Sequence, residues 1–282
     1  MAGLKKANAN DELNKVVSQI EEENIRSLND EVEIGEDGLV HDEPMLAGYV
    51  DEHGTLHNTF TYREMNGKDE EAISKADVRQ NGAKMVNILV ERCVESIGTL
   101  TKKDCGVRWG SIVRELLGGD LDYMAFKIRE LSKGKEVEFV HKCPNCGTKL
   151  TTIVETSEFN IKPYMGQSAV DFTLVRGYKD KKGIHTEGTI RLPNGFDREI
   201  VTPLFKKNVS TAMTMMLTRL MSFHDGALVT QGLVNEMSLR DREILEKIIK
   251  ENTFGVDTSI DDIICTSCGQ DISGEVGQSN FL

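Results

Sequence analysis

Four of the six cysteines fall in two short stretches of one pattern, CPNCG at 143–147 and CTSCG at 265–269. In each, two thiols sit at i and i+3, so one tight turn can offer two thiolates as two corners of a tetrahedron. The glycine behind each second cysteine tolerates positive φ, which lets backbone N–H groups turn back toward the sulfurs. Cys143, Cys146, Cys265 and Cys268 together form the four-thiolate set that structural Zn2+ takes. Such a site keeps no open position for water, so it holds structure and does not catalyse. His141, just ahead of the first knuckle, reads as a neighbour of the metal rather than a ligand. The stretch between the knuckles is far longer than in a simple ribbon, which makes 147–264 an insertion closed by metal.

Two rival readings of the cysteines stay open behind zinc. A redox CxxC opens a helix, whose N-terminus lowers the thiol pKa. Here Gly147 and the β-branched run TKLTTIVE follow Cys146 instead. Disulfides belong to oxidising compartments. The N-terminal MAGLKKANANDELNK has no apolar stretch behind its basic residues, so no secretory signal is expected.

The elements that must position these thiols can be read from periodicity. Residues 11–28 carry Leu13, Val16, Val17 and Ile20 at helical spacing, and acidic NDEVEIGEDGLVHDEP after them reads as a linker. TLHNTFTYREM partly alternates and predicts a strand or hairpin edge, and Asp69 is a candidate cap for the helix after NGKDEE. A helix is expected over 83–100, burying Val86, Leu89, Val90, Cys93, Val94 and Ile97 on one face. Trp109 reads as core. SIVRELLG forms another helix, Gly118 and Gly119 stop it, and Asp120 caps a third that ends at Gly134.

From 136 the period changes to strand, knuckle, strand. DFTLVRGY and IHTEGTIRL flank the turn KDKKG, with Lys179, Lys181 and Lys182 as a solvated tip, and PNG marks a further turn. Two helices follow. One is capped by Ser210, with a stripe of Met213, Met216, Leu217, Leu220 and Met221. The other opens with Ser238 and Asp241 and buries Ile244, Leu245, Ile248 and Ile249. No internal repeat is visible.

The 282 residues include 39% hydrophobic and 28% charged side chains, as in a soluble globular protein. With 34 basic against 46 acidic residues the net charge is -12, which disfavours binding to nucleic-acid phosphates. No apolar run is long enough for a membrane span. GxxxxGK[ST], GxGxxG, HExxH and GxSxG are all missing, and His224-Asp225 has no identifiable nucleophile. The chain reads as non-enzymatic.

Three stretches, in order, resemble one family. TYREMNGKDEEAI (61–73) looks like its Arg-Glu-x-x-Gly-x-Asp-Glu element. LGGDLDYMAFKIRELSKGKEVEFVHKCPNCGTKL (117–150) is similar to its Gly-Asp, helix, strand and Cys-Pro-x-Cys-Gly stretch. SLRDREILEKIIKENTFGVDTSIDDIICTSCGQDI (238–272) resembles its closing helix and second CxxCG. These are the baseplate hub assembly chaperones of T-even-like phages and related contractile tails. Many relatives carry proline after both first cysteines, whereas Thr266 stands at the second here. The resemblance implies no enzymatic activity. It implies a role in building the baseplate hub or sitting in it, with hub or wedge proteins as partners. It places the chain in the host cytoplasm during assembly or in the virion tail.

The resulting expectation is an α+β protein. It comprises an acidic arm and linker (1–47), a mainly helical domain (48–135), a split four-cysteine zinc ribbon (136–156 and 260–276), an inserted β-then-α unit (157–259) and a tail (277–282). The alternative function is a zinc-ribbon nucleic-acid-binding or transcription accessory protein.

Overall fold

The computed structural model describes residues 33–181, 183–260, 263–272 and 274–275. The expected N-terminal helix and C-terminal tail lie outside them, as does the side chain of His141. The chain divides into residues 1–33 and a unit spanning 34–282, and the account below concerns the latter.

The unit mixes helix and sheet throughout. It opens with a hairpin of β1 (Val40–Val50) and β2 (Leu56–Tyr62), then α1 (Gly67–Ser74), α2 (Ala76–Arg79) and α3 (Gly82–Cys93). β3 (Val94–Ile97) and β4 (Leu100–Thr101) complete an antiparallel sheet in the order β1-β2-β3-β4. Next come α4 (Lys102–Cys105), α5 (Trp109–Glu115) and the long α6 (Gly118–Lys133). β5 (Glu136–Lys142) and β6 (Lys149–Glu155) pair antiparallel in unbroken register, followed by β7 (Asn160–Lys162).

A second hairpin of β8 (Ala169–Lys179) and β9 (Ile184–Arg191) leads to α7 (Gly195–Phe205) and α8 (Val209–Leu220). β10 (Met221–Phe223) joins it to give the sheet β10-β9-β8. α9 (Gln231–Glu236), α10 (Leu239–Asn252), β11 (Gly255–Asp257), β12 (Ser259–Ile260) and β13 (Gly274–Glu275) follow. β11 pairs with β7, and β12 with β13.

Several expectations change. The strand β1 occupies 40–47 of the expected linker. Its pairing with β2 slips in register twice, so its burial does not alternate and no period-2 signal survives. The strand expected within TLHNTFTYREM is β2, and it belongs to a four-stranded sheet rather than to an isolated hairpin edge. Val94 and Ile97 are buried, but on strand β3, because α3 runs into the sheet without a loop. Met221 likewise begins β10 rather than ending α8. Asn208, not Ser210, caps α8, accepting from the Thr211 amide. PNG is a helix start, since Asn194 caps α7. Asn66 is the cap of α1, with Asp69 as its reciprocal partner. Asp120 does not cap α6, which begins two residues earlier.

What Asp120 does instead exposes a repeat that the sequence pattern hides. Its carboxylate accepts the amides of Leu46, Ala47 and Gly48, in the bulge of β1. Asp241, at the same place in α10, accepts the amides of Val175, Arg176 and Gly177 in the bulge of β8. Gly48 (φ 86) and Gly177 (φ 68) both need the left-handed region. A Cβ on either would strike the carbonyl of His57 or His185 across the hairpin, at 2.8 and 2.5 Å.

The same correspondence runs through each half. Tyr49 stacks on His57 at 6.2 Å and Tyr178 on His185 at 6.1 Å. Arg63 donates to Asp69 and to the Arg92 carbonyl, while Arg92 donates to Asp69 at 2.7 Å. Arg191, Asp197 and Arg219 repeat this arrangement, with Arg219 to Asp197 at 2.8 Å. Both aspartates close capping boxes, with Asn66 and Asn194. The two halves pack through a seam where Gly118 N–H donates to the Pro193 carbonyl and Gly195 N–H to the Leu116 carbonyl. Asn87 also donates to the Gly195 carbonyl and to Glu199.

Candidate metal centre

Each knuckle is a tight turn held by its own backbone. Cys143 N–H donates to the Thr148 carbonyl, and Gly147 N–H to the Cys143 carbonyl, both at 2.9 Å. Cys265 N–H donates to the Gln270 carbonyl, and Gly269 N–H to the Cys265 carbonyl, both at 2.8 Å. Gly147 (φ 72) and Gly269 (φ 71) make these turns possible, because a residue with a Cβ is strained there. β5 and β6 carry the first knuckle. Their inner faces, Val137, Phe139 and Val154, pack with Phe126 of α6 and Phe159. The second knuckle sits between Ile263 and Ile272, joined by the Ile272 amide to the Ile263 carbonyl, and Ile264 bridges Asp271.

The structure brings Cys143, Cys146, Cys265 and Cys268 together, with all four sulfurs within 4.8 Å of one another. Cys143 and Cys265 are buried, whereas Cys146 and Cys268 are exposed. Across the knuckles, Cys143 Sγ lies 3.6 Å from Cys268 Sγ, and Cys146 Sγ 3.6 Å from Cys265 Sγ. A disulfide needs about 2.0 Å. Four sulfurs about 2.3 Å from a central ion stand about 3.8 Å apart, so the spacing fits a tetrahedral metal and not a covalent bond.

The electrostatics of the four thiols differ. Hydrogen bonds from the Thr148 side chain and backbone hold the Cys146 thiol down at about 6. For Cys265 the Ser267 amide pulls downward. That pull is the largest single influence, but burial and the side chains of Cys146 and Cys268 together exceed it, and the thiol is pushed up to about 11. Cys143, Cys146, Cys265 and Cys268 would hold an ion as thiolates, because only the deprotonated sulfur ligates.

The other two cysteines stand apart. Cys93 is fully buried against Asp69 and its arginines, and burial pushes its thiol up to about 12. Sequence reasoning missed the two amide-binding aspartates and the two Arg–Asp–Arg groups that hold the hairpins to the helices. A partial signal was present, since Gly-Tyr-x-Asp at the bulges and Asn-Gly-x-Asp at the capping boxes each occur twice, but neither contains Asp120 or Asp241. The His185 ring, on β9, lies between two carboxylates, with Nε2 3.0 Å from Asp180 and Nδ1 2.5 Å from Asp225. Asp225 therefore has a partner that the pair His224-Asp225 did not reveal.

The unit is thus a mixed α and β frame with four thiols clustered at one place. Residues 51–276 match the family described as T4 bacteriophage base plate protein. The match covers most of the chain, both knuckles included, and the chain belongs to that family. It is a phage baseplate protein. Among curated proteins and among solved structures, nothing matches it.

Proposed function

We propose that this chain is a non-enzymatic part of the baseplate hub or of its assembly machinery, docking on hub or wedge proteins and held together by a structural Zn2+. The family match over 51–276 carries the baseplate part of this reading. The clustered sulfurs support the metal. Cys143, Cys146, Cys265 and Cys268 would be its ligands, and Zn2+ would supply a cross-link between the two knuckles without an exchangeable position. That closure favours a structural over a catalytic role. The order of the three family-like stretches supports the narrower assignment to hub assembly chaperones. The host cell during assembly and the virion tail are the places it would work. No helix among the described residues is long and apolar enough to cross a membrane.

The test has two arms. Metal analysis of the purified chain is expected to find a single zinc ion per chain. Mass spectrometry of tail particles and of assembly intermediates is expected to find the chain in one or both. Its absence from both sinks the hub reading, and a metal-free chain sinks the zinc.

A further inference from the structure

We infer that the described unit is one module present twice, and that the four-cysteine centre is a metal-dependent lock between the two copies rather than a clasp around an inserted loop. The inference rests on reading the four thiols as a metal site.

The argument begins with chain order. In each half, a bulged hairpin with a stacked Tyr–His pair comes first, then an Arg–Asp–Arg group around a capping box. A helix that runs straight into a strand follows. Next is the helix whose aspartate binds the bulge, α6 in the first copy and α10 in the second. A CxxCG knuckle then follows each of these helices. The knuckles are therefore equivalent ends of equivalent copies. A clasp around an insertion requires no such equivalence.

The sulfur geometry says the same independently. Exchanging the copies turns Cys143 into Cys265 and Cys146 into Cys268. Under that exchange the contact Cys143–Cys268 becomes Cys265–Cys146, and both measure 3.6 Å. The buried and exposed cysteines also exchange, buried for buried and exposed for exposed. The two knuckles thus face one another about a local two-fold relation, and an ion between them takes two ligands from each copy.

The copies are joined elsewhere by contacts that need no metal. Gly118, Leu116, Pro193 and Gly195 form the seam, and Arg198 reaches across it to the Gly118 carbonyl and to Asp122. The ion therefore does not create the association of the copies. It fixes their orientation at the knuckle end, and any partner surface spanning both copies becomes dependent on metal.

Two measurements test this on the full chain. The first is a reciprocal exchange of the knuckle interiors, Pro144→Thr with Asn145→Ser and Thr266→Pro with Ser267→Asn. Equivalent half-sites predict zinc affinity within about threefold of the parent, and a loss of tenfold or more overturns the equivalence. The second is hydrogen exchange with and without a zinc chelator. Faster exchange at both 143–148 and 265–270, with the amides of 46–48 and 175–177 still protected, is the expected result. Loosening of one knuckle alone overturns the lock, as does loss of protection at the bulges. A chain that binds no zinc in either form fails the metal reading itself, which the exchange data then separate from the duplication.

Discussion

A buried carboxylate between two guanidinium groups shows how single residues hold this fold. Burial alone raises the pKa of Asp69, but hydrogen bonds from Arg63, the Asn66 backbone and Arg92 outweigh it and hold the carboxyl at about 2. In the unfolded chain it returns to about 3.9. A depressed carboxyl stabilises the folded state above its unfolded pKa and loses that contribution as pH falls through its folded pKa. Asp69 therefore supports the fold above about pH 4, and its support drains away between about pH 4 and pH 2. Arg63 and Arg92 are partly exposed, so the contribution is discounted to about 1–2 kcal/mol. Urea unfolding of Asp69→Asn beside the parent checks this. The variant should be weaker near neutrality, and the gap should narrow by that amount on acidification. A gap that stays constant with pH would assign Asp69 a purely steric role.

At the scale of elements, close approach decides which positions tolerate change. Gly119, in the first turn of α6, lies against Phe254, the residue just ahead of β11. An added Cβ would meet the Phe254 ring at 2.5 Å and the Phe254 carbonyl at 2.7 Å. The ring can turn, but the backbone carbonyl moves only with the chain that leads into β11. Gly119→Ala is expected to destabilise by about 1–3 kcal/mol, read from the denaturant midpoint. Gly67→Ala is the control, since α1 offers open space there. It is expected to be neutral or slightly stabilising, because alanine suits a helix better than glycine. The same scale explains where periodicity misleads. Val86, Leu89, Val90, Cys93, Val94 and Ile97 are all buried, as their spacing indicates. The first four lie on α3 and the last two on β3, because a helix and an antiparallel strand meeting without a loop present one continuous apolar face. A one-dimensional period has no means of marking that switch.

Across the whole molecule, two kinds of cross-link act. The seam at Gly118 and Gly195 is made of backbone and side-chain hydrogen bonds, and the four thiols add a site for an ion. Structural zinc is worth about 10–16 kcal/mol in small fingers, where it substitutes for a core. Here large apolar clusters share that load, such as the one joining Phe172, Leu174, Ile190, Leu217 and Leu245. Cys143→Ser or Cys265→Ser should therefore abolish zinc retention without unfolding the unit. Limited proteolysis is expected to cut at the knuckles while the two hairpins and the helices behind them survive. Full metal content and unchanged protease resistance in both variants would remove the ion from the account.

The cysteine pattern alone was enough to nominate all four thiols, because i, i+3 spacing before a glycine is local chemistry that needs no tertiary knowledge. Alternation and turn residues likewise indicated β5, β6, β8 and β9, and the Ser238 box indicated the start of α10. The bulged β1 stayed hidden, since its slipped register breaks the alternation on which such reading depends. The duplication stayed hidden for another reason. What the copies share is a set of contacts, carboxylate to bulge amides and arginine to aspartate, while most of the residues around them differ. Asp120 looked like a helix cap because its local neighbourhood is that of a cap. Only the tertiary structure places three amides from β1, more than seventy positions earlier in the chain, against its carboxylate. Long-range pairing of this kind depends on which surfaces meet, and that is settled by packing of the whole chain rather than by any short stretch of it.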